Sequence, residues 1–160
     1  MRSGLEISQG NIIIVIDGDL QFSSNLVFKV YDELKYNNLD LCKTYRVERE
    51  DGIYRSVVSK IFNIIFDLLF PVKGKNREFS DINSKPKAFT REVYEKMNLN
   101  SNDWFIDCEI MIFAREHNLK ISSIPIRFYK SDRESFVKPM AIFEFLKNLI
   151  NYKIRSIKNS

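Results

Sequence analysis

Histidine and cysteine are almost absent, with one histidine and two cysteines in 160 residues. Cys42 and Cys108 stand far apart, with no nearby Cys or His at an interval that suggests zinc. Two distant cysteines favour a reduced, intracellular setting over a disulfide in a secreted chain. His117 falls at the end of an expected helix, where a cation is favourable, and no catalytic role is expected of it. No apolar run approaches the roughly 18 residues that a spanning helix needs. The opening Met1-Arg2-Ser3-Gly4-Leu5-Glu6 lacks the apolar core of a signal peptide. The expectation is a chain that neither crosses a membrane nor carries a secretion signal, though it can lie on a membrane surface. Internal repeats and low-complexity segments are missing as well.

Neither sign of charge dominates: 25 Lys and Arg face 21 Asp and Glu, for a net charge of +4 and a pI near 9.0. This favours anionic partners. The cations are spread along the chain rather than gathered in one arm, so nucleic acid is not the expected partner. A 44% hydrophobic content with 29% charged residues is that of an ordinary folded domain with a sizeable core.

The segment Asn11 to Ile16 is wholly apolar and β-branched after Asn11, the pattern of a strand buried on both faces inside a parallel sheet. Ser23 or Ser24 caps an expected helix from Asn25 to Tyr36, with Leu26, Val27, Val30, Tyr31 and Leu34 on its inner face. Asn37-Asn38 makes a turn, and Leu39 to Lys43 is a second strand. Strand, helix, strand is a parallel crossover unit, which makes the class α/β. A polar loop is expected from Thr44 to about Tyr54, then a helix from Ser56 to Phe70 whose apolar residues cover more than one face, stopped by Pro71. Lys87 to Phe89 reads as a short extended piece, Thr90 as the cap of a helix to Met97, and Phe105 to His117 as another helix with Asn118 as its left-handed stop. Leu119 to Tyr129 is a strand in which Pro125 marks an edge or a bulge. An amphipathic helix with a basic end runs from Pro139 to Ile157. The most apolar strand has only Met1 to Gln9 before it, so further strands are expected to belong ahead of residue 1.

Asp17-Gly18-Asp19 ends the first strand, where ligands sit in open α/β sheets. Two carboxylates one residue apart leave on the same side, and Gly18 lets a ligand approach the backbone. Hard oxygen donors at this interval suit Mg²⁺ or Mn²⁺ holding a substrate's phosphates. A solvated acidic turn has the same sequence. A phosphatase of the haloacid dehalogenase type expects Gly-Thr or Gly-Val next, where this chain has Leu20-Gln21.

The whole stretch Gly10 to Gln21 resembles the central signature of family 2 glycosyltransferases, above all the polyprenol-phosphate (dolichol-phosphate) mannose and glucose synthases. The resemblance continues through Arg46, through the Arg-x-x-x-Ser spacing of Arg55 and Ser59, and through Asp81-Ile82-Asn83-Ser84-Lys85-Pro86-Lys87-Ala88-Phe89-Thr90-Arg91. It includes the acidic pair in Trp104-Phe105-Ile106-Asp107-Cys108-Glu109 and the strand Ile124-Pro125-Ile126-Arg127-Phe128. It implies a partial GT-A fold, a mostly parallel sheet flanked by helices, over residues 1–138, with 139–160 as a basic helical tail. It also implies an inverting hexosyltransferase that moves a sugar from GDP-mannose or UDP-glucose to a polyprenyl or dolichyl phosphate.

By the same resemblance, Asp17, Asp19 and Gln21 hold the metal and the donor's diphosphate. Arg46, Arg55 and Ser59 bind the acceptor's phosphate, and Asp107 and Glu109 line the sugar pocket or orient nearby arginines. Asp17, Asp19, Arg55 and Glu109 are the residues expected nearest the chemistry. The implied setting is the cytoplasmic face of a membrane, and the implied partners are a separate nucleotide-binding N-terminal half or a second copy of the chain. After Phe128 the family shows Arg-x-x-Gly-x-Ser-(Lys), whereas Tyr129 to Lys138 lacks the glycine; Arg133 and Lys138 would take over its phosphate contacts. A chain that has lost activity but keeps the fold as an interaction subunit is the competing reading.

Overall fold

The structure is a computed structural model that describes residues 1–18, 22–49, 53–72, 81–128 and 139–158. Helix α1 (Arg2–Ile7) leads into strand β1 (Ile12–Val15). Then follow α2 (Asn25–Tyr36), β2 (Leu41–Arg49), α3 (Ile53–Leu69), β3 (Lys87–Thr90), α4 (Arg91–Lys96), α5 (Ile106–Glu116), β4 (Ile121–Phe128) and α6 (Pro139–Lys158). Among the described residues the strands form one sheet in the order β1-β3-β2-β4.

The two-residue period of a strand assigns the sheet's two faces. Ile13, Val15, Leu41 and Phe89 turn to one side, where they join Phe62 and Phe66 of α3, Phe70 just beyond it, the apolar residues of α5 and Leu149 of α6. Cys42, Ala88 and Ile126 turn to the other, against Leu26, Val30 and Leu34 of α2. The sheet is thus sandwiched between helices, and β1 touches both layers, with Ile12 and Ile14 partly buried on the α2 side. Full burial of a side chain such as Phe66 or Phe89 contributes about 1.5–3 kcal/mol. The two cysteines are free, buried and on opposite faces of the sheet. Burial pushes the Cys42 thiol up to about 12, with the Glu33 carboxylate adding to the effect.

The α/β expectation holds, with a correction to the pairing. Strands β1, β2 and β4 share one direction, but β3 runs against them and lies between β1 and β2. Two ladders are therefore antiparallel and one is parallel. The crossover from β1 through α2 to β2 skips one place in the sheet, and a short strand far along the chain fills it. A second correction concerns Thr44 to Arg49, expected as loop. These residues extend β2, because β4 runs alongside from Leu41↔Ile121 to Arg49↔Phe128 and takes up their backbone hydrogen bonds. Pro125 is tolerated because β4 is the end strand of the sheet, and the register slips just beyond it, between Arg46 and Glu48.

Local chemistry sets the helix ends. Thr90 caps α4, its hydroxyl accepting from the Val93 amide at 3.2 Å. Asn38 and Asn118, just past α2 and α5, adopt the left-handed conformation at φ 48° and 50° that asparagine tolerates. Arg91 fastens the approach to β1: its guanidinium donates to the Ser8 and Gly10 carbonyls at 2.7 and 3.1 Å, and its amide donates to the Asn11 carbonyl. The last arginine of the motif-bearing segment is therefore a clasp that positions the strand leading to Asp17.

Candidate active site

Lys85, Pro86 and Lys87 enter β3 as an alternating pair of lysines around a proline, so the two ammonium groups leave on the same side. Lys87 lies in register with Val15 of β1 and with Lys43 of β2. Both Lys43 and Lys87 are wholly buried. Asp107, in the first turn of α5 where the helix end favours a carboxylate, meets Lys87 and Lys85 from the helical layer. Its Oδ1 accepts from Lys87 Nζ at 2.5 Å, and its Oδ2 lies 3.1 Å from Lys85 Nζ. Lys85 in turn donates to Asp17 Oδ1 at 2.9 Å. The result is a line of alternating charge, Asp17, Lys85, Asp107, Lys87, running from the half-exposed strand end into the core. Burial alone would lower the Lys85 pKa, but the carboxylates of Asp107 and Asp17 outweigh it and hold the ammonium above its ordinary range.

A second knot adjoins the first. Asp81 takes Arg46 in a two-pronged pair, with Nε to Oδ2 at 2.8 Å and Nη2 to Oδ1 at 2.5 Å, and Oδ2 also accepts the Arg46 amide. Asp81 does this from the left-handed conformation, φ 52°. Ser84 and Thr44 share a hydroxyl hydrogen bond of 2.8 Å, and Lys43 Nζ donates to the carbonyls of Thr44 and Asp81. Burial pushes Lys43 down to about 7; Lys87, Arg46 and Arg115 add to this, and Asp81 opposes it. The Asp-x-x-Ser motif is thus a seam joining residues 81–84 to β2. Asn63 of α3 completes it by accepting the Ile82 amide.

The expected site residues fall into three groups. Asp17 and Asp107 come together through Lys85, and Arg46 lies in the adjoining knot. Ser59 is half-buried on α3 one turn before Asn63, on the helix face that meets residues 81–84. Glu109, also buried, is engaged elsewhere: its Oε2 accepts the amides of Asn100 and Ser101 at 3.1 and 3.0 Å and so pins that turn. Asp19, Gln21, Arg133, Lys138 and the side chain of Arg55 lie outside the described residues. Sequence reasoning assigned no role to Lys43, Lys85 or Lys87. The available signal was Lys43 between Leu41 and Tyr45 at strand period, and Lys87 two residues before Phe89; Lys85 carried none.

Among the described residues no group of three or more His, Cys, Asp or Glu is placed to hold a metal ion. Asp17 alone of the expected set is described, and it fits one. It is a hard oxygen donor, half-exposed at the end of a strand, and a cationic group already rests 2.9 Å from its Oδ1.

No protein-family profile matches the chain. In three dimensions it is similar to glucosyl-3-phosphoglycerate synthase from Mycobacterium tuberculosis, solved with Mn²⁺, UDP and glucosyl-3-phosphoglycerate. The TM-score is 0.71 at 14% identity, over 94% of this chain and 52% of that one. The fold is therefore that of part of a GT-A glycosyltransferase. In sequence the chain is 27% identical over 152 residues to the dolichol-phosphate mannosyltransferase of Pyrococcus furiosus, covering 91% of this chain and 42% of the relative. It is 26% identical over 117 residues to the undecaprenyl-phosphate 4-deoxy-4-formamido-L-arabinose transferase of Photorhabdus laumondii, covering 72% and 34%. Over 74 residues it is 31% identical to the dodecaprenyl-phosphate galacturonate synthase of Rhizobium johnstonii, covering 46% and 22%. The resemblance to polyprenol-phosphate sugar transferases drawn from the motifs is borne out. The chain spans less than half the length of these curated relatives.

Proposed function

We propose that the chain is part of an inverting glycosyltransferase that moves a sugar from a nucleotide-diphosphate donor to a polyprenyl phosphate. The observation that carries this reading is the line Asp17, Lys85, Asp107, Lys87 at the end of β1, in a chain with the GT-A fold and polyprenol-phosphate transferase relatives. Asp17, with Asp19 and Gln21, would hold Mg²⁺ or Mn²⁺. Such an ion, when bound, supplies positive charge to the donor's diphosphate as it departs. Arg46, Arg55 and Ser59 receive the acceptor phosphate, with Arg133 and Lys138 closing over phosphate oxygens from the segment after β4. Asp107 orients Lys85 and Lys87, and Glu109 holds the turn at Asn100 and Ser101. An acceptor phosphate is anionic at neutral pH and needs no strong base to activate it. Catalysis is then positioning and charge neutralisation, with in-line attack on the anomeric carbon.

Residues 1–138 form the catalytic part in this reading, with 139–160 as a helical tail. A membrane surface at the cytoplasmic face is the proposed setting. No described helix is long and apolar enough to cross a membrane. Yet Val57, Ile61, Ile64 and Leu68 form an exposed apolar stripe along α3. Neighbouring α6 adds exposed Ile150 and Ile154 together with Lys147 and Arg155. Apolar side chains beside cations suit an anionic lipid interface.

A fold-retaining subunit without activity is the second reading, favoured by the absence of glycine from Tyr129 to Lys138 and by the closed Arg46–Asp81 fork. Calorimetric titration of GDP-mannose and UDP-glucose with Mn²⁺, repeated on Asp19→Ala, separates the two. Binding that needs both metal and Asp19 supports the transferase. Its absence in a folded sample favours the inactive subunit, or a site that forms only with a second chain.

A further inference from the structure

Lys85 is the one residue of the acidic line that touches both exposed and buried carboxylates. Its side chain is 14% exposed, and it spans from Asp17 Oδ1 at 2.9 Å to Asp107 Oδ2 at 3.1 Å. A metal ion on Asp17 would put two positive charges within a few ångströms of this ammonium, where the repulsion is strong and weakly screened. Lys85 engages Oδ1 alone, so a metal on Asp17 would share the carboxylate's single negative charge with the ammonium. Lys85 has somewhere to go, because Asp107 already binds it and lies deeper. Withdrawal onto Asp107 leaves no buried ammonium without a counter-charge, so releasing Asp17 costs only the one hydrogen bond to it.

We infer that Lys85 is a positioning residue that holds the Asp17 carboxylate while no divalent ion is bound and yields it by retreating onto Asp107 when one binds. Metal binding is then a displacement, and the affinity at Asp17 is set by the lysine as well as by the oxygen donors. The inference rests on the reading of Asp17 as a metal ligand.

The test is Mn²⁺ titration of the whole chain, following free Mn²⁺ by electron paramagnetic resonance, in wild type, Lys85→Met, Lys85→Arg and Asp17→Asn. With the competitor removed, Lys85→Met binds Mn²⁺ about ten-fold more tightly, the worth of one charge-assisted hydrogen bond. Lys85→Arg keeps a competing cation and stays near wild type, and Asp17→Asn binds more weakly. Equal affinity in wild type and Lys85→Met, with Asp17→Asn still weakened, overturns the role of Lys85 and leaves the metal reading standing. Mn²⁺ binding that ignores Asp17→Asn overturns both. Should Lys85→Met fail to fold, the Lys85 Nζ resonance of ¹⁵N-labelled wild type reads the same event. It shifts on saturation with Mg²⁺, and a resonance that does not shift overturns the proposal.

Discussion

Lys43 and Lys87 stand directly opposite each other across the antiparallel ladder of β2 and β3, and both side chains are wholly buried. Like charges in such positions repel, and the pair persists because Asp107 answers Lys87 while Lys43 is held with its pKa near 7. The folded chain therefore releases the Lys43 proton near pH 7, whereas the unfolded chain keeps it to near 10.5. Between those values the unfolded state binds more protons, so stability rises with pH; below about 7 the burden of the buried charge is complete and constant. Urea midpoints measured from pH 6 to 10 should show this rise in wild type. In Lys43→Met it should be smaller, and the two proteins should converge toward high pH.

Asp107 supplies the counter-charge for Lys87 in the core. Asp107→Asn should cost about 3–5 kcal/mol in chemical denaturation, because it strands a buried ammonium. The double variant Asp107→Leu with Lys87→Met should recover most of that loss. Equal instability of the single and double variants would contradict the pairing.

The Arg46–Asp81 fork is largely buried on both sides and has two prongs plus a backbone amide. A double-mutant cycle to alanine should return a coupling of about 1–3 kcal/mol. Arg46→Lys should lose much of it, since an ammonium cannot reproduce the fork.

Glu109 grips two amides from inside the core. Glu109→Gln should weaken charge-assisted bonds and destabilise the chain by about 1–2 kcal/mol. Hydrogen exchange at the Asn100 and Ser101 amides should accelerate more than at the β2 amides.

Leu68 and Ile64 are the most exposed members of the α3 stripe, at 79% and 66%. Leu68→Asp combined with Ile64→Asp should lower sedimentation with anionic vesicles several-fold while leaving the thermal midpoint nearly unchanged. Unchanged vesicle binding would remove this stripe from the membrane reading.

Local periodicity and punctuation were enough to place most elements. The α2 helix, the Thr90 cap, the left-handed stop at Asn118, and the α6 start at Pro139 are each decided by residues within one or two turns of one another. The motif residues were legible for the same reason, as short strings with fixed spacing. Their partners were not. Nothing in Lys87-Ala88-Phe89-Thr90 says that it inserts between β1 and β2, because strand pairing joins segments more than forty residues apart. Nothing in Tyr45-Arg46-Val47 says strand until β4 is laid beside it.

The sequence by itself determined the class, the acidic strand end and the spacing of the candidate ligands, since these depend on side-chain period and chemistry along the chain. Only the tertiary structure decided which charges face which. It gave Arg46 to Asp81, Glu109 to a backbone turn, and Lys85 to both Asp17 and Asp107. The reason is physical: a buried charge must find its counter-charge or hydrogen-bond partner wherever the fold brings one, whatever the distance in sequence.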